Sequence, residues 1–293
     1  MSESGTLYIV ATPIGNLDDI SRRAIEILKS VDLIAAEDTR HSQKLLQSIQ
    51  VGTPVVSHHD FSADSAINRI LDKLEAGSSI ALISDAGTPL ISDPGYKLVR
   101  LARQRNLSVI PIPGASALVS ALSVSGLATD RFTFEGFLPS KAAARQKRLL
   151  SLADEQRTMV FYESTHRIME SLSDMSLAFE EQRLIFIGRE LTKRFESHFL
   201  GTAAECTQWL SGDANQTKGE FVVIVAGCDE QLEEARRHEQ AMDIVRLLKS
   251  EVSMKKAVSL ASKISGARKN LLYEAALQEL TDSEDYAAGE YQL

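Results

Sequence analysis

Short unbroken apolar runs alternate with stretches of helical spacing through the first half of the chain. The runs are Leu7–Val10, Leu33–Ala36, Val55–Val56, Ile80–Ile83 and Val109–Ile112. They are rich in Val, Ile and Leu, and continuous rather than alternating, as strands buried on both faces of a parallel sheet must be. Between them, Ile20, Ala24, Ile27 and Leu28 share one helix face, and so do Ile67, Ile70, Leu71 and Leu74. The second of these helices is expected to start at the N-cap Ser62 and to stop at Gly77. Strands and helices in this order predict an α/β domain over residues 1–128 with an open, doubly wound parallel sheet.

The pattern changes after a break near Leu127–Arg131. Strand-like runs recur at Phe132–Phe134, Met159–Tyr162, Leu184–Ile187, Phe195–Phe199 and Phe221–Val225, while Ile168, Leu172, Met175 and Phe179 mark a helix. The stretch Arg189–Gly201 reads as two strands joined directly, which requires antiparallel pairing. Residues 129–230 are therefore expected to form a second, α+β domain with a mixed sheet. From about Gln231 no strand signal remains. Three helices are predicted at Glu233–Lys249, Ser253–Ile264 and Ala267–Leu280, with Gly266 between the last two. Residues 231–293 thus read as a helical domain whose acidic tail, Asp282–Leu293, is expected to fray.

Composition narrows the class. The 293 residues are 44% hydrophobic and 25% charged, with a net charge of −8. That excludes wholesale disorder, a collagen-like repeat and a disulfide scaffold. Cys206 and Cys228 lie in no CxxC, which argues against a cysteine zinc site and for a reducing compartment. No apolar run reaches membrane-spanning length, and Met1–Thr6 carry no secretory pattern. The expectation is a soluble, cytoplasmic protein.

Ligands of an open parallel sheet bind beyond the carboxyl ends of its strands. Three of those ends are rich in turn residues: Ala11-Thr12-Pro13-Ile14-Gly15-Asn16, Ser84 to Gly95, and Pro111-Ile112-Pro113-Gly114-Ala115-Ser116-Ala117. Glycine and small side chains there let backbone approach a bound molecule. There is no GxGxxG after the first strand and no GxxxxGK[ST], which disfavours dinucleotides and P-loop nucleotides. These loops offer a carboxylate, Asp85, and no Lys or Arg. S-adenosylmethionine suits them, because a sulfonium tolerates carboxylates and carbonyls. Gly114-Ala115-Ser116 lacks the further glycine of a nucleophile elbow, since position 118 is Leu118. Ser116 reads instead as a helix-start hydroxyl or a ligand hydrogen-bonder. His58-His59-Asp60 lacks a third ligand at helical spacing, so no metal site is expected.

Several motifs together carry a family resemblance. Thr12 to Leu17 resembles the opening of a tetrapyrrole-methylase-fold enzyme, and Ala35-Ala36-Glu37-Asp38-Thr39-Arg40-His41 with Ser84 to Gly95 narrows the match. Phe161 to Arg167, Arg189-Glu190-Leu191-Thr192-Lys193 and Lys218-Gly219-Glu220 complete it. In order and spacing, over residues 6–280, these resemble the ribosomal RNA small subunit methyltransferase I family. The resemblance implies two α/β domains of the class III methyltransferase type, with S-adenosylmethionine folded in the trench between them. It implies methylation of the ribose 2′-hydroxyl of a decoding-centre cytidine in 16S rRNA of the small subunit, and a homodimer, with neither DNA nor membrane as partner. By the same resemblance the cofactor would meet Pro13, Ile14 and Gly15; Ile83, Ser84, Asp85 and Thr88; Ser116 and Ala117; and Tyr162, Glu163, Glu220 and Phe221. Related methylases carry Gly-Asp-Pro where this chain has Ser84-Asp85-Ala86.

The acceptor hydroxyl must lose its proton, which a carboxylate or His within reach could take. Glu37, Asp38, His41 and Glu163 are the candidates beside the trench, and Arg40 and Arg167 could hold the target phosphate. Each could equally serve as an ion-pair partner or helix cap. RNA contacts are expected from the helical end. Between Ile244 and Tyr273, seven basic residues (among them Lys255, Lys256, Arg268 and Lys269) face one acid, Glu251. This end resembles a helix-turn-helix, and the deep A-form groove limits it to phosphate contacts. A second basic cluster, Lys141, Arg145, Lys147 and Arg148, is expected at the trench mouth. The competing readings are a methylase of a small tetrapyrrole or protein side chain, and a non-catalytic nucleic-acid-binding protein.

Overall fold

The computed structural model describes residues 4–59 and 64–289, with backbone alone at 230–233, 236 and 280–289. The expected N-cap Ser62 and the Asp60 of the His-His-Asp run lie outside the described residues.

In chain order the elements are β1 (Thr6–Val10), α1 (Arg22–Ser30), β2 (Leu33–Ala36), α2 (Thr39–Ser48), β3 (Val55–Ser57), α3 (Asp64–Glu75), β4 (Ile80–Ile83), α4 (Tyr96–Gln104), β5 (Ser108–Ile112) and α5 (Ala117–Val124). They continue as β6 (Phe132–Phe137), α6 (Ala142–Leu150), β7 (Thr158–Ser164), α7 (Ile168–Ala178), β8 (Ile185–Arg189), β9 (Ser197–Gly201), α8 (Ala203–Ser211) and β10 (Glu220–Val225). Three helices close the chain: α9 (Glu230–Leu248), α10 (Met254–Ser265) and α11 (Lys269–Gly289).

The first sheet is parallel throughout, in the order β3-β2-β4-β1-β5. Strand alternation splits its apolar residues between two cores. Leu7, Ala35, Ile80 and Leu82 pack against Ile67, Ile70, Leu71 and Leu74 of α3 and Leu98 of α4. Val10, Ile34, Ala81 and Ile83 pack against Ala24 and Leu28 of α1 and Leu46 of α2. The chain therefore leaves β1 toward one face and leaves the neighbouring β4 toward the other. That divergence opens a crevice at their carboxyl ends, the switch point where open α/β sheets take ligands.

The second sheet runs β6-β7-β10-β8-β9; only β6 and β7 are parallel. One face, with Phe161, Ile187, Phe221 and Val223, is covered by α7 and α8. The other, with Val160, Phe186, Val222 and Ile224, packs on Leu118, Ala121 and Leu122 of α5 and on Ile14. Both sheets thus belong to one compact unit, which runs up to Ala153 and from Arg157 to Ala226. A second unit comprises Asp154–Gln156 and the chain from Gly227 onward. Its core is small and helical, built on Ala241, Val245, Val258, Ala261 and Leu272.

Two expectations shift. Strand β9 begins at Ser197 rather than Phe195, because the turn before it holds Glu190 and Thr192 at positive φ (51° and 65°) and leaves Phe195 64% exposed. The last helix does not stop at Leu280. With no Gly or Pro between Ala267 and Ala288 to stop it, α11 continues to Gly289.

Candidate functional site

The three turn-rich loops are tied to one another before they meet any ligand. Thr12 and Gly87 exchange backbone hydrogen bonds of 2.8 and 3.1 Å, which bridges the loops after β1 and β4. Thr12 Oγ1 donates to the Ser84 carbonyl at 3.3 Å, and Thr88 Oγ1 donates to the Ala115 carbonyl at 3.1 Å. Gly87 takes φ +77°, a conformation that a side chain would strain. The loop after β2 is held as well. Asp38 N–H donates to Asp85 Oδ1 at 3.1 Å, and Asp85 N–H approaches Glu37 Oε2 at 3.5 Å. The Asp38 side chain is the N-cap of α2, accepting from the N–H groups of Arg40 and His41, which hold its carboxyl below the usual range.

Above this edge lies a cavity of about 550 Å³, within the range of small-molecule sites. Ile14, Glu37, Asp85, Thr88, Ser116 and Ala117 wall it on one side. Opposite stand Phe137, Tyr162, the Ser164–His166 corner, Leu191 and the start of β10. Five carboxylate residues, Glu37, Asp85, Asp93, Glu163 and Glu220, border it, and among the described residues no Lys or Arg does. Ser116 occupies the N-cap position of α5 yet makes no capping hydrogen bond, which leaves its hydroxyl to the cavity. The Tyr162 hydroxyl accepts from Leu118 N–H at 3.2 Å. Burial pushes this phenol's pKa up, the Leu118 hydrogen bond opposes that, and the nearby Asp93 charge adds to the rise. Tyr162 therefore keeps its proton as a donor.

The far wall is braced by Lys193, whose Nζ lies 2.9 Å from both Glu190 Oε1 and Glu220 Oε2. Burial alone would lower the Lys193 pKa, but the two carboxylates outweigh it and raise it. This brace explains two glycines. A Cβ on Gly15 would stand 2.3 Å from Lys193 Cγ, and one on Gly219, at φ +106°, would stand 2.6 Å from Glu190 Cδ.

Of the expected cofactor residues, Ile14, Asp85, Thr88, Ser116, Ala117, Tyr162, Glu163, Glu220 and Phe221 reach the wall. Pro13, Gly15, Ile83 and Ser84 do not; they shape the loops behind it. Strand alternation corrects two of the roles. Phe221 packs in the core under α7 and α8. Glu163 shares that side, buried, and accepts from Ser171 Oγ (2.7 Å), its neighbour Ser164 N–H (2.8 Å) and Arg167 Nη2 (2.9 Å). Each therefore offers the cavity its backbone, and Glu163 is no free base. Arg167 is drawn toward the same corner: besides Glu163, its Nε donates to Ser164 Oγ and its Nη1 to the Leu138 carbonyl. It braces the β7 corner with three of its five N–H groups. Arg40 is exposed in the first turn of α2, beside Asp38 and off the cavity wall.

The basic clusters divide in the same way. Arg145 is not an RNA contact: it is 2% exposed and paired with Asp174 at 2.6 Å and Glu170 at 3.0 Å. Its spacing on α6 turns it inward, beside Leu149, while Lys141, Lys147 and Arg148 face out. Arg148 pairs with Glu135, and Arg268 with Glu234. Lys255, Lys256 and Lys269 are exposed on α10 and α11. Sequence reasoning missed Phe137, Asp93, His166 and Leu191 at the cavity. Asp93 and His166 stood inside recognised motifs, where their position next to the strand ends was the available signal.

Residues 6–207 match the family described as Tetrapyrrole (Corrin/Porphyrin) Methylases, and residues 236–281 match the RsmI C-terminal HTH domain. Ribosomal RNA small subunit methyltransferase I of Pseudomonas aeruginosa is 50% identical over 275 residues, covering 94% of this chain and 98% of that one. The protein of the same name from Escherichia coli O157:H7 is 46% identical over 278 residues, covering 95% and 96%. Among solved structures, a diphthine synthase superposes with a TM-score of 0.56 at 14% identity, over 76% of this chain and 90% of its own. Uroporphyrin-III C-methyl transferase from Thermus thermophilus, complexed with S-adenyl homocysteine, gives 0.52 at 15%, over 76% and 97%. At these identities the structural likeness speaks for the fold.

Proposed function

The chain belongs to the ribosomal RNA small subunit methyltransferase I family, among the tetrapyrrole methylases, and on that premise we propose that it methylates the ribose 2′-hydroxyl of a decoding-centre cytidine in 16S rRNA of the small ribosomal subunit. The protein is a methyltransferase, and S-adenosylmethionine is its methyl donor. The observation that carries the cofactor assignment is the cavity's charge. A wall with five carboxylate residues, of which Glu163 is paired with Arg167 and Glu220 with Lys193, and with no Lys or Arg on the lining itself among the described residues, disfavours a diphosphate and suits a ligand bearing a sulfonium and an ammonium. When bound, that donor supplies an electrophilic methyl, to which the ribose oxygen bonds while the carbon–sulfur bond breaks and its electron pair stays on sulfur.

The chain's own residues then have separable tasks. The bridged loops at Thr12, Gly87 and Thr88 hold the cavity floor in one shape, so orientation is settled before substrate arrives. Ser116 Oγ and the Tyr162 hydroxyl hydrogen-bond the ligand. Glu37, half-buried on the wall, takes the hydroxyl proton. Arg40, Lys141, Lys147, Lys255, Lys256 and Lys269 hold RNA phosphates, with Arg148 and Arg268 joining once released from their acidic partners. The exposed cations of the helical unit favour an RNA acceptor over a small tetrapyrrole, which would need none of them. We assign residues 1–128 and 129–230 to the two halves of the catalytic body and 231–293 to RNA docking, in a cytoplasmic homodimer.

The test is to incubate the protein with methyl-labelled cofactor and small subunits, then locate the labelled nucleotide. Label on a cytidine ribose supports the reading. Label on a base or on protein, or none, refutes it. Light scattering checks the dimer.

A further inference from the structure

Phe137 ends β6 at the mouth of the cavity, 53% exposed. Regular alternation would not put it there. Phe134 pairs with Val160 on the cavity side of the sheet, so three residues further on the side chain should point to the opposite, helix-covered side. A bulge intervenes. Between Phe134 and Gly136 the register slips by one: Gly136 sits opposite Phe161, and Phe137 opposite Tyr162. Gly136 takes φ +65°, the left-handed conformation that bulges reserve for glycine. A Cβ there would also come within 3.3 Å of Ser92 Oγ. The extra residue swings Phe137 across to the face of Tyr162, where the two rings meet edge to face at 5.7 Å and 67°. Phe134 holds Tyr162 in the same way from within, at 5.0 Å and 68°. A bulge and a left-handed glycine thus bring a large aromatic out of the core and into water.

We infer that Phe137 is the stacking platform for the base of the acceptor nucleotide. The inference rests on the functional reading above and adds the residue that seats the target. A ribose hydroxyl reaches a methyl donor inside the cavity only if its nucleotide is splayed out of the RNA, and splayed bases are caught on aromatic faces. The ring is braced by Tyr162, half open to solvent, and four residues from the exposed cation Lys141. A cofactor ring enclosed by the cavity would not need a platform exposed at its mouth; a base arriving from solvent does.

The experiment compares wild type with Phe137→Tyr, Phe137→Leu and Phe137→Ala. It measures cofactor binding by equilibrium dialysis and methylation of small subunits by label transfer. Leu keeps an apolar contact with Tyr162 but lacks a π face. The expected result is cofactor affinity within about twofold of wild type in all three. The kcat/KM for subunits should be retained by Tyr and reduced about 5- to 150-fold by Leu and Ala, the range that base–aromatic stacking supplies. Leu matching wild type overturns the platform. So does cofactor affinity falling in step with activity, which would make Phe137 part of the cofactor site. Failure of wild type itself to label a subunit ribose sinks the functional reading and the platform with it, whereas a labelling wild type with an indifferent Leu variant sinks the platform alone.

Discussion

Replacing Arg145 with Met separates a structural cation from an RNA contact. The guanidinium is 2% exposed, with Nε 2.6 Å from Asp174 Oδ2 and Nη2 3.0 Å from Glu170 Oε2. Burial alone would lower its pKa, but the hydrogen bonds to Asp174 and Glu170 outweigh that and raise it, so the group stays charged. Removing it strands Asp174, whose side chain is 8% exposed and keeps only Gln146 Nε2 at 2.7 Å. Breaking a buried pair from one side costs about 3–5 kcal/mol. Glu170 adds little, being 64% exposed. For a unit of this size the loss corresponds to a fall of about 6–20 °C in Tm. The pair itself is not strongly stabilising, because Arg145 Nη1 is buried without a partner. Removing both charges, as Arg145→Met with Asp174→Leu, should therefore recover most of the loss. Urea unfolding followed by circular dichroism measures all three proteins, with Lys147→Ala on the exposed side of α6 as a control expected within about 0.5 kcal/mol of wild type. A single Arg145→Met variant with the wild-type midpoint and weakened RNA binding would refute the reasoning and restore Arg145 to the RNA surface.

Lys255→Glu with Lys256→Glu should reduce the slope of log affinity for RNA against log salt by about 1.5, as lost phosphate contacts release fewer counterions, and leave cofactor binding unchanged; filter binding across a salt series reads it. Lys193→Met should remove a brace with a defined pH range. The Glu190 pKa is lowered, with burial opposing and Lys193 and the Glu220 N–H prevailing, so its stabilisation is present above the unfolded value of 4.5 and lost as pH falls through the lower folded value. The Lys193 pKa is raised, so its share is complete below 10.5 and lost only as pH climbs through the higher folded value. The Tm gap between wild type and Lys193→Met should therefore be constant around neutrality and close on acidification below about 4.5; a gap that widens in acid would contradict the assignment. Cys206 is buried, its thiol pushed up to about 12, mainly by burial. At pH 8 the thiolate fraction is on the order of 10⁻⁴, so iodoacetamide followed by peptide mass spectrometry should find Cys206 unmodified until urea unfolds the chain.

The fold was largely legible because its central strands, such as β4 and β8, are buried on both faces. Ile80–Ile83 is apolar at every position, since its odd and even residues pack on different helix layers. Four consecutive apolar residues between turn signals suit a strand covered on both sides, and a half-exposed strand would have alternated. Gly77 and Gly266 stop their helices at positive φ as expected. What failed was local. Phe195 and Phe199 share a spacing, yet only Phe199 enters the core, stacked on Trp209; the turn through Glu190 and Thr192 detaches Phe195. The sequence pattern ends the last helix at Leu280, although no Gly or Pro interrupts the chain before Gly289, where α11 ends.

The site was legible at the level of loops and not at the level of faces. A motif records which strand end a residue occupies, and on that count Tyr162, Glu163, Glu220 and Phe221 all reach the cavity. Side-chain direction is settled by parity along the strand, which a motif does not state. Tyr162 shares the face of Val160 and presents its phenol, while Glu163 shares the face of Phe161 and is consumed by Ser171 and Arg167. The same arithmetic applied to β6 would have turned Phe137 away from the cavity. It faces in only because Gly136 inserts a bulge, and one glycine in a strand-like run does not announce a register slip. Parity thus turns the Glu163 side chain away from the cavity, and a single break in parity brings Phe137 to it. On β6, β7 and β10, then, register decides which side chains face the cavity.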